Sequence, residues 1–87
     1  MKIKFHKNFK KQFDKLSDKK KRKVLDIINV FINNPKDKKL KNHNLKGRLI
    51  GKKAISVSPN LRIIFEEYDN YLLVIFLDLG GHNHVYG

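Results

Sequence analysis

Arg62 is the only lysine or arginine after Lys53, and it stands inside an apolar run, "NLRIIFEE". His82 and Tyr86 follow a glycine pair in "LDLGGHNHVYG". His43 opens "HNLKGRLIGKKAISVS", which also holds Lys46, Arg48, Lys52 and Lys53. Cations, histidines and a tyrosine are the groups needed to cut RNA through its own 2′-hydroxyl. A base removes the hydroxyl proton, cations stabilise the phosphorane, and an acid protonates the departing 5′-oxygen. Arginine suits phosphate because its planar fork donates two hydrogen bonds, and histidine suits proton transfer because it titrates near neutrality. Plainer roles stand beside these. Arg62 could pair across strands with Asp78 or Glu66, Tyr86 could cover the core, His82 could be a turn residue, and the four cations could be solvated.

Other chemistries find little support. No carboxylate pair, glycine-rich phosphate loop or Ser–His–Asp arrangement is recognisable. His82 and His84 share a side of an extended segment, but no cysteine or third ligand lies near them in sequence. No metal and no other cofactor is assigned.

These residues need a sheet to hold them. Leu61, Ile63 and Phe65 occupy one face of a predicted strand, with Arg62, Ile64 and Glu66 on the other. Lys53–Ser58 alternates as a strand, Pro59-Asn60 is a turn, and Asp69-Asn70 reads as a two-residue hairpin turn before a strand over residues 71–79. Gly47 and Gly51 bracket a bend. Upstream, residues 2–5 suit a short edge strand. Phe5, Phe9, Phe13 and Leu16 share one helical face. Ser17 or Asp18 caps a second helix with a broad stripe of Val24, Leu25, Ile27, Ile28, Phe31 and Ile32, which ends at Asn33-Asn34-Pro35. Residues 35–41 read as a polar, lysine-rich loop. The expected class is α+β: an N-terminal helical hairpin on a mainly antiparallel sheet.

Eighty-seven residues suit one domain over 1–87, with a small core that partner binding would support. Cysteine is absent, which rules out disulfides. The first residues show no secretory pattern, and the apolar runs are too short to span a bilayer, so no membrane role and a cytoplasmic location are expected. Net charge is +12 and uneven, +15 over residues 1–53 against −3 over the remainder. Such a surface repels itself without counterions, and nucleic acid is the commonest polyanion that rewards it; an acidic protein or an anionic membrane would also fit.

The order and spacing of the three quoted stretches resemble the RelE/ParE superfamily of bacterial toxins, nearest to the RelE/StbE branch with the YafQ-like mRNA interferases. The resemblance covers nearly the whole chain. It implies a RelE-like fold and a type II toxin–antitoxin toxin. Such a toxin would be a metal-independent, ribosome-dependent mRNA endoribonuclease that inhibits translation, partnered by mRNA, the ribosome and an acidic antitoxin. It also carries roles onto residues. Arg62, in "RIIF", matches the phosphate-contacting arginine. His82 and Tyr86, with Gly80, match the terminal acid and aromatic, and His43, in "H-x-L-x-G", joins the catalytic set. Lys53 matches a basic position on the RNA backbone and would assist Arg62. Lys46 matches another such position, with Arg48 and Lys52 beside it. Three positions depart from YafQ-like members: Ser56 replaces a histidine, Asn60 an aspartate and Asp78 an arginine. The same fold also admits a ParE-like gyrase inhibitor or a nucleic-acid-binding member that has lost cleavage.

Overall fold

A computed structural model describes residues 1–81. His82, His84 and Tyr86 therefore lie outside the described residues. Strand β1 (Lys2–Phe5) leads into helix α1 (Lys7–Asp14) and helix α2 (Asp18–Asn33). A short strand β2 (His43–Asn44) then precedes β3 (Lys53–Ser58), β4 (Leu61–Tyr68) and β5 (Leu73–Gly80). The sheet order is β1-β5-β4-β3-β2. Among the described residues the β1–β5 pairing is parallel, and β2–β3, β3–β4 and β4–β5 are antiparallel.

Each helix starts on a side-chain cap. His6 Nδ1 accepts the Asn8 N–H at 3.0 Å, and Ser17 Oγ accepts the Lys20 N–H at 3.3 Å. These bonds satisfy amides that have no partner inside the helix. α1 buries Phe9, and α2 buries Val24, Ile28 and Phe31. They meet Ile55, Val57, Leu61, Ile63, Phe65, Val74, Phe76 and Leu79 from one face of the sheet. Aromatic edges bind this core. The Phe31 ring lies 5.1 Å from Phe65 and 5.6 Å from Phe76, both edge-on, which suits the ring quadrupoles.

Several expectations change in detail. Phe5 belongs to β1 rather than to the helical face, although its ring still meets Phe9, tilted, at 5.4 Å. The stripe on α2 is narrower than expected, since Leu25 and Ile32 are exposed. The loop over residues 35–41 contains a 3₁₀ turn, Lys38–Leu40, whose Leu40 is fully buried and anchors the segment. Between β4 and β5 the turn spans residues 69–72 rather than two residues, and β5 begins at Leu73. Asp69, Asn70 and Tyr71 all have positive φ there. The reason is Tyr71. Its ring turns inward to Phe31 and Phe65, and its N–H is held by Glu67 Oε1 at 3.0 Å, so it serves the turn instead of the strand.

Candidate functional site

The helices cover one face of the sheet, and the site residues divide between that face and the opposite, outer one. Strand partners share a face. Ser56 pairs with Arg62, which pairs with Gly80. One step along, His43 pairs with Ala54, Ala54 with Ile64, and Ile64 with Asp78. Both rows lie on the outer face, because the intervening row of Ile55, Ile63 and Leu79 is core. His43 and Arg62 thus share this face two strands apart. Strand spacing and rise put their backbones about 12 Å from one another, so a phosphate between them is within reach of both side chains.

The chemistry of this face is specific in its details. Arg62 is half-buried, which strengthens its field relative to a fully exposed cation. The ring of His43 is exposed, and its Nδ1 lies 2.8 Å from the Lys41 carbonyl oxygen. A carbonyl only accepts, so Nδ1 carries the hydrogen, and in the neutral ring Nε2 keeps its lone pair. Ser56 donates its hydroxyl to the Ser58 carbonyl at 3.1 Å, beside the register shift in β3. The hydroxyl hydrogen is therefore committed to the backbone, and Ser56 presents only acceptor lone pairs to Arg62.

Asp78 reaches this face through a bulge. Ile64 pairs with Asp78 but Phe65 pairs with Phe76, which leaves Leu77 as the extra residue. Without that insertion the alternation from Phe76 would send Asp78 towards the core. With it, Leu77 packs against the cluster of Leu45, Ala54 and Ile64, Asp78 faces outward, and Leu79 returns to the core. Asp78 Oδ1 accepts the Leu79 N–H at 2.8 Å. Asp78 is thus a diagonal neighbour of Arg62 on the same face.

The segment before β3 roofs one end of this surface. Leu45 is buried with Ala54 and Ile64, and Gly47–Leu49 forms a 3₁₀ turn that starts and leaves through glycines of positive φ, +66° at Gly47 and +89° at Gly51. Lys46 and Arg48 are exposed on this roof. Lys52 lines a cleft of about 260 Å³ with His6, Asn8, Leu49, Ile64, Leu77 and Asp78. His6 was not expected here; it caps α1, and the fold brings it to the cleft.

Lys53 does not join Arg62. It pairs with Phe65, so it points to the helix side, and its Nζ donates to Asn44 Oδ1. There it lines a second pocket, of about 350 Å³, formed largely by the 36–44 segment. At the far end of the outer face, the row of Ser56 and Arg62 ends at Gly80, and the chain continues through Gly81. A Cβ on Gly81 would meet the Asn60 carbonyl oxygen at 3.2 Å, so the chain leaves β5 tight against the Pro59-Asn60 turn. His82 and Tyr86, the expected acid and aromatic, follow in sequence and lie outside the described residues. Among the described residues, no group of three His, Asp or Glu side chains is placed to hold a metal ion.

The model of the family described as "Bacterial toxin of type II toxin-antitoxin system, YafQ" matches residues 1–87. No curated protein sequence matches significantly. Among solved structures, YafQ from E. coli strain BL21(DE3) superposes with a TM-score of 0.79 at 26% identity, covering 98% of this chain and 97% of that one. The toxin of the E. coli DinJ–YafQ toxin–antitoxin complex gives 0.76 at 26% identity, over 98% and 96% of the two chains. The archaeal RelE–RelB complex from Pyrococcus horikoshii OT3 gives 0.75 at 18% identity, over 97% of each, a likeness of fold.

Proposed function

Because the chain belongs to the YafQ family of bacterial toxins from type II toxin–antitoxin systems, we propose that it is a metal-independent endoribonuclease that cuts mRNA on the ribosome and so inhibits translation. The observation that carries this reading is the outer-face row of Ser56, half-buried Arg62 and Gly80, with His43 one row away on the same face. In the proposed reaction His43 Nε2 takes the 2′-hydroxyl proton, with Tyr86 as the alternative base. The oxygen attacks the adjacent phosphorus in line. Arg62 stabilises the extra negative charge of the phosphorane. His82 then gives its proton to the 5′-oxygen as the P–O bond breaks, leaving a 2′,3′-cyclic phosphate and a free 5′-hydroxyl.

The side placement of Lys53 supports a binding role for it rather than a share in phosphorane stabilisation. Lys46, Arg48 and Lys52 line the approach to the outer face and are assigned to RNA binding. Asp78, where YafQ-like members carry arginine, supplies no cation, which leaves Arg62 with a larger share of the work. The silencing partner is an acidic antitoxin whose charge complements the +15 of residues 1–53. No helix among the described residues is long and apolar enough to cross a membrane, and the proposed substrate places the protein in the cytoplasm.

The test is induced expression with primer extension on cellular mRNA, followed by cleavage with purified protein and ribosomes. In-frame cuts that leave cyclic phosphate termini support the reading. Intact mRNA with DNA damage would replace it with gyrase inhibition, and normal growth with a binding protein that has lost cleavage.

A further inference from the structure

The pocket on the helix side of β2 borders the outer-face site at His43, which also lines it, and its lysines take no part in the proton transfers or the phosphorane stabilisation proposed there. Its lining includes the ammonium-bearing Lys36, Lys38, Lys41 and Lys53 against one carboxylate, that of Asp37. That carboxylate is already engaged, since Asp37 Oδ1 accepts the Lys39 N–H at 2.9 Å. The pocket is also built rather than incidental. Asn42 Nδ2 donates to the Pro35 carbonyl at 2.9 Å and to the Tyr71 hydroxyl at 3.0 Å, which ties the lysine loop to the β4–β5 turn. Tyr71 Oη accepts that bond, so its own hydrogen remains a donor. Leu40, fully buried, pins the loop from beneath. Lys41 holds a left-handed backbone at φ 51°, a conformation that non-glycine residues adopt at a cost and that the surrounding contacts maintain.

We propose that this pocket is a phosphate subsite for an RNA strand, which passes from the outer face over the β2 edge of the sheet and places a backbone phosphate among Lys36, Lys38, Lys41 and Lys53. The chemistry favours a phosphate over an acidic side chain. Four cations around a concave volume of about 350 Å³, with a hydroxyl donor at one wall, match a group that carries charge on several oxygens. The path follows from the fold. β2 is a sheet edge only two residues long. His43 projects on the outer face, while the next pair, Asn44 and Lys53, projects on the helix side. A strand that crosses this edge therefore meets His43 and then the lysine pocket. The path past His43 rests on the proposed function; the phosphate subsite itself does not.

The experiment uses the full chain and a short single-stranded DNA oligonucleotide, which lacks the 2′-hydroxyl and is not cut. Binding is titrated at several salt concentrations for the wild type, a Lys36→Gln/Lys38→Gln variant, and a control that loses the same charge on α2, Lys19→Gln/Lys20→Gln. The pocket variant should bind about tenfold more weakly at moderate salt, with a log–log salt slope shallower by roughly 0.7, the value for one lost phosphate contact on a single strand. The control should change little. In a parallel titration with inorganic phosphate, the Asn42 side-chain amide resonances should move in the wild type and not in the pocket variant. Cleavage separates this idea from the proposed function: the pocket variant should raise KM and leave kcat within about threefold, since bound substrate still reaches Arg62 and His43. Unchanged affinity and slope in the pocket variant would overturn the subsite, whatever the cleavage result. So would equal losses in the α2 control. A wild type that binds as described but cuts nothing would overturn only the proposed function.

Discussion

Replacing Arg62 with alanine should remove most cleavage. The guanidinium is half-buried on the outer face, in the row of Ser56 and Gly80. A unit charge about 4 Å from a developing charge is worth about 1 kcal/mol in bulk water and about 4 kcal/mol at the effective dielectric of a protein surface. At about 1.36 kcal/mol per decade, the range is about fivefold to about a thousandfold in rate. Half-burial, and the lack of a cation at position 78, place the expectation in the upper part of that range. The assay is single-turnover cutting of a ribosome-bound mRNA by the purified variant. Its folding is verified by the wild-type thermal transition. Arg62→Lys separates charge from geometry. It keeps the cation and loses the two-pronged donation, so it should fall between alanine and wild type. A folded Arg62→Ala protein that cuts at the wild-type rate would refute the site. An Arg62→Lys protein as inactive as Arg62→Ala would refute the view that charge is the larger contribution.

His82→Ala should lower cleavage by tenfold or more, the usual loss for one proton-transferring group; His43→Gln should do likewise while leaving oligonucleotide affinity nearly unchanged, which a fluorescence binding titration checks. Cleavage should persist when divalent ions are chelated under conditions that keep ribosomes intact, and stoichiometric zinc in the purified protein would contradict the metal-free mechanism. Phe31→Ala removes a fully buried ring from the Phe65–Phe76 cluster and should cost about 3–5 kcal/mol, measured by denaturant unfolding. A chain of this size has roughly 4–13 kcal/mol of stability, so the variant should be largely unfolded at the lower end of that range.

The legible part of the fold was the part governed by short periods. The alternation of Leu61, Ile63 and Phe65 against Arg62 and Ile64 is borne out by two separate clusters, one under the helices and one on the outer face. Lys53–Ser58 forms as a strand over the residues its alternation marks, and Ser17 caps α2 as its side chain allows. The illegible features depend on partners distant in sequence. Nothing local in "KIKF" says that β1 runs parallel to β5, and nothing in the lysines of residues 36–41 says that Asn42 will tie them to Tyr71. The resemblance set Lys53 beside Arg62, and the strand period of two sends its side chain to the helix side instead.

Asp78 shows why the site is harder to read than the fold. In "YLLVIFLDLG" the apolar residues are continuous, so no alternation marks which face Asp78 takes. The deciding event is the insertion of Leu77 opposite the Ile64–Phe65 step, a choice between one buried leucine and one buried carboxylate. Strict alternation after Phe76 would bury Asp78 among Phe65, Ile63 and the helices, at a cost of several kcal/mol for an uncompensated charge, and would expose Leu79. The bulge instead gives Leu79 to the core and Asp78 to the face that carries Arg62. The same energetic preference that completes the core therefore places an anion diagonally beside Arg62 on the outer face. The electrostatics of the proposed active site follow from a packing decision made one residue away.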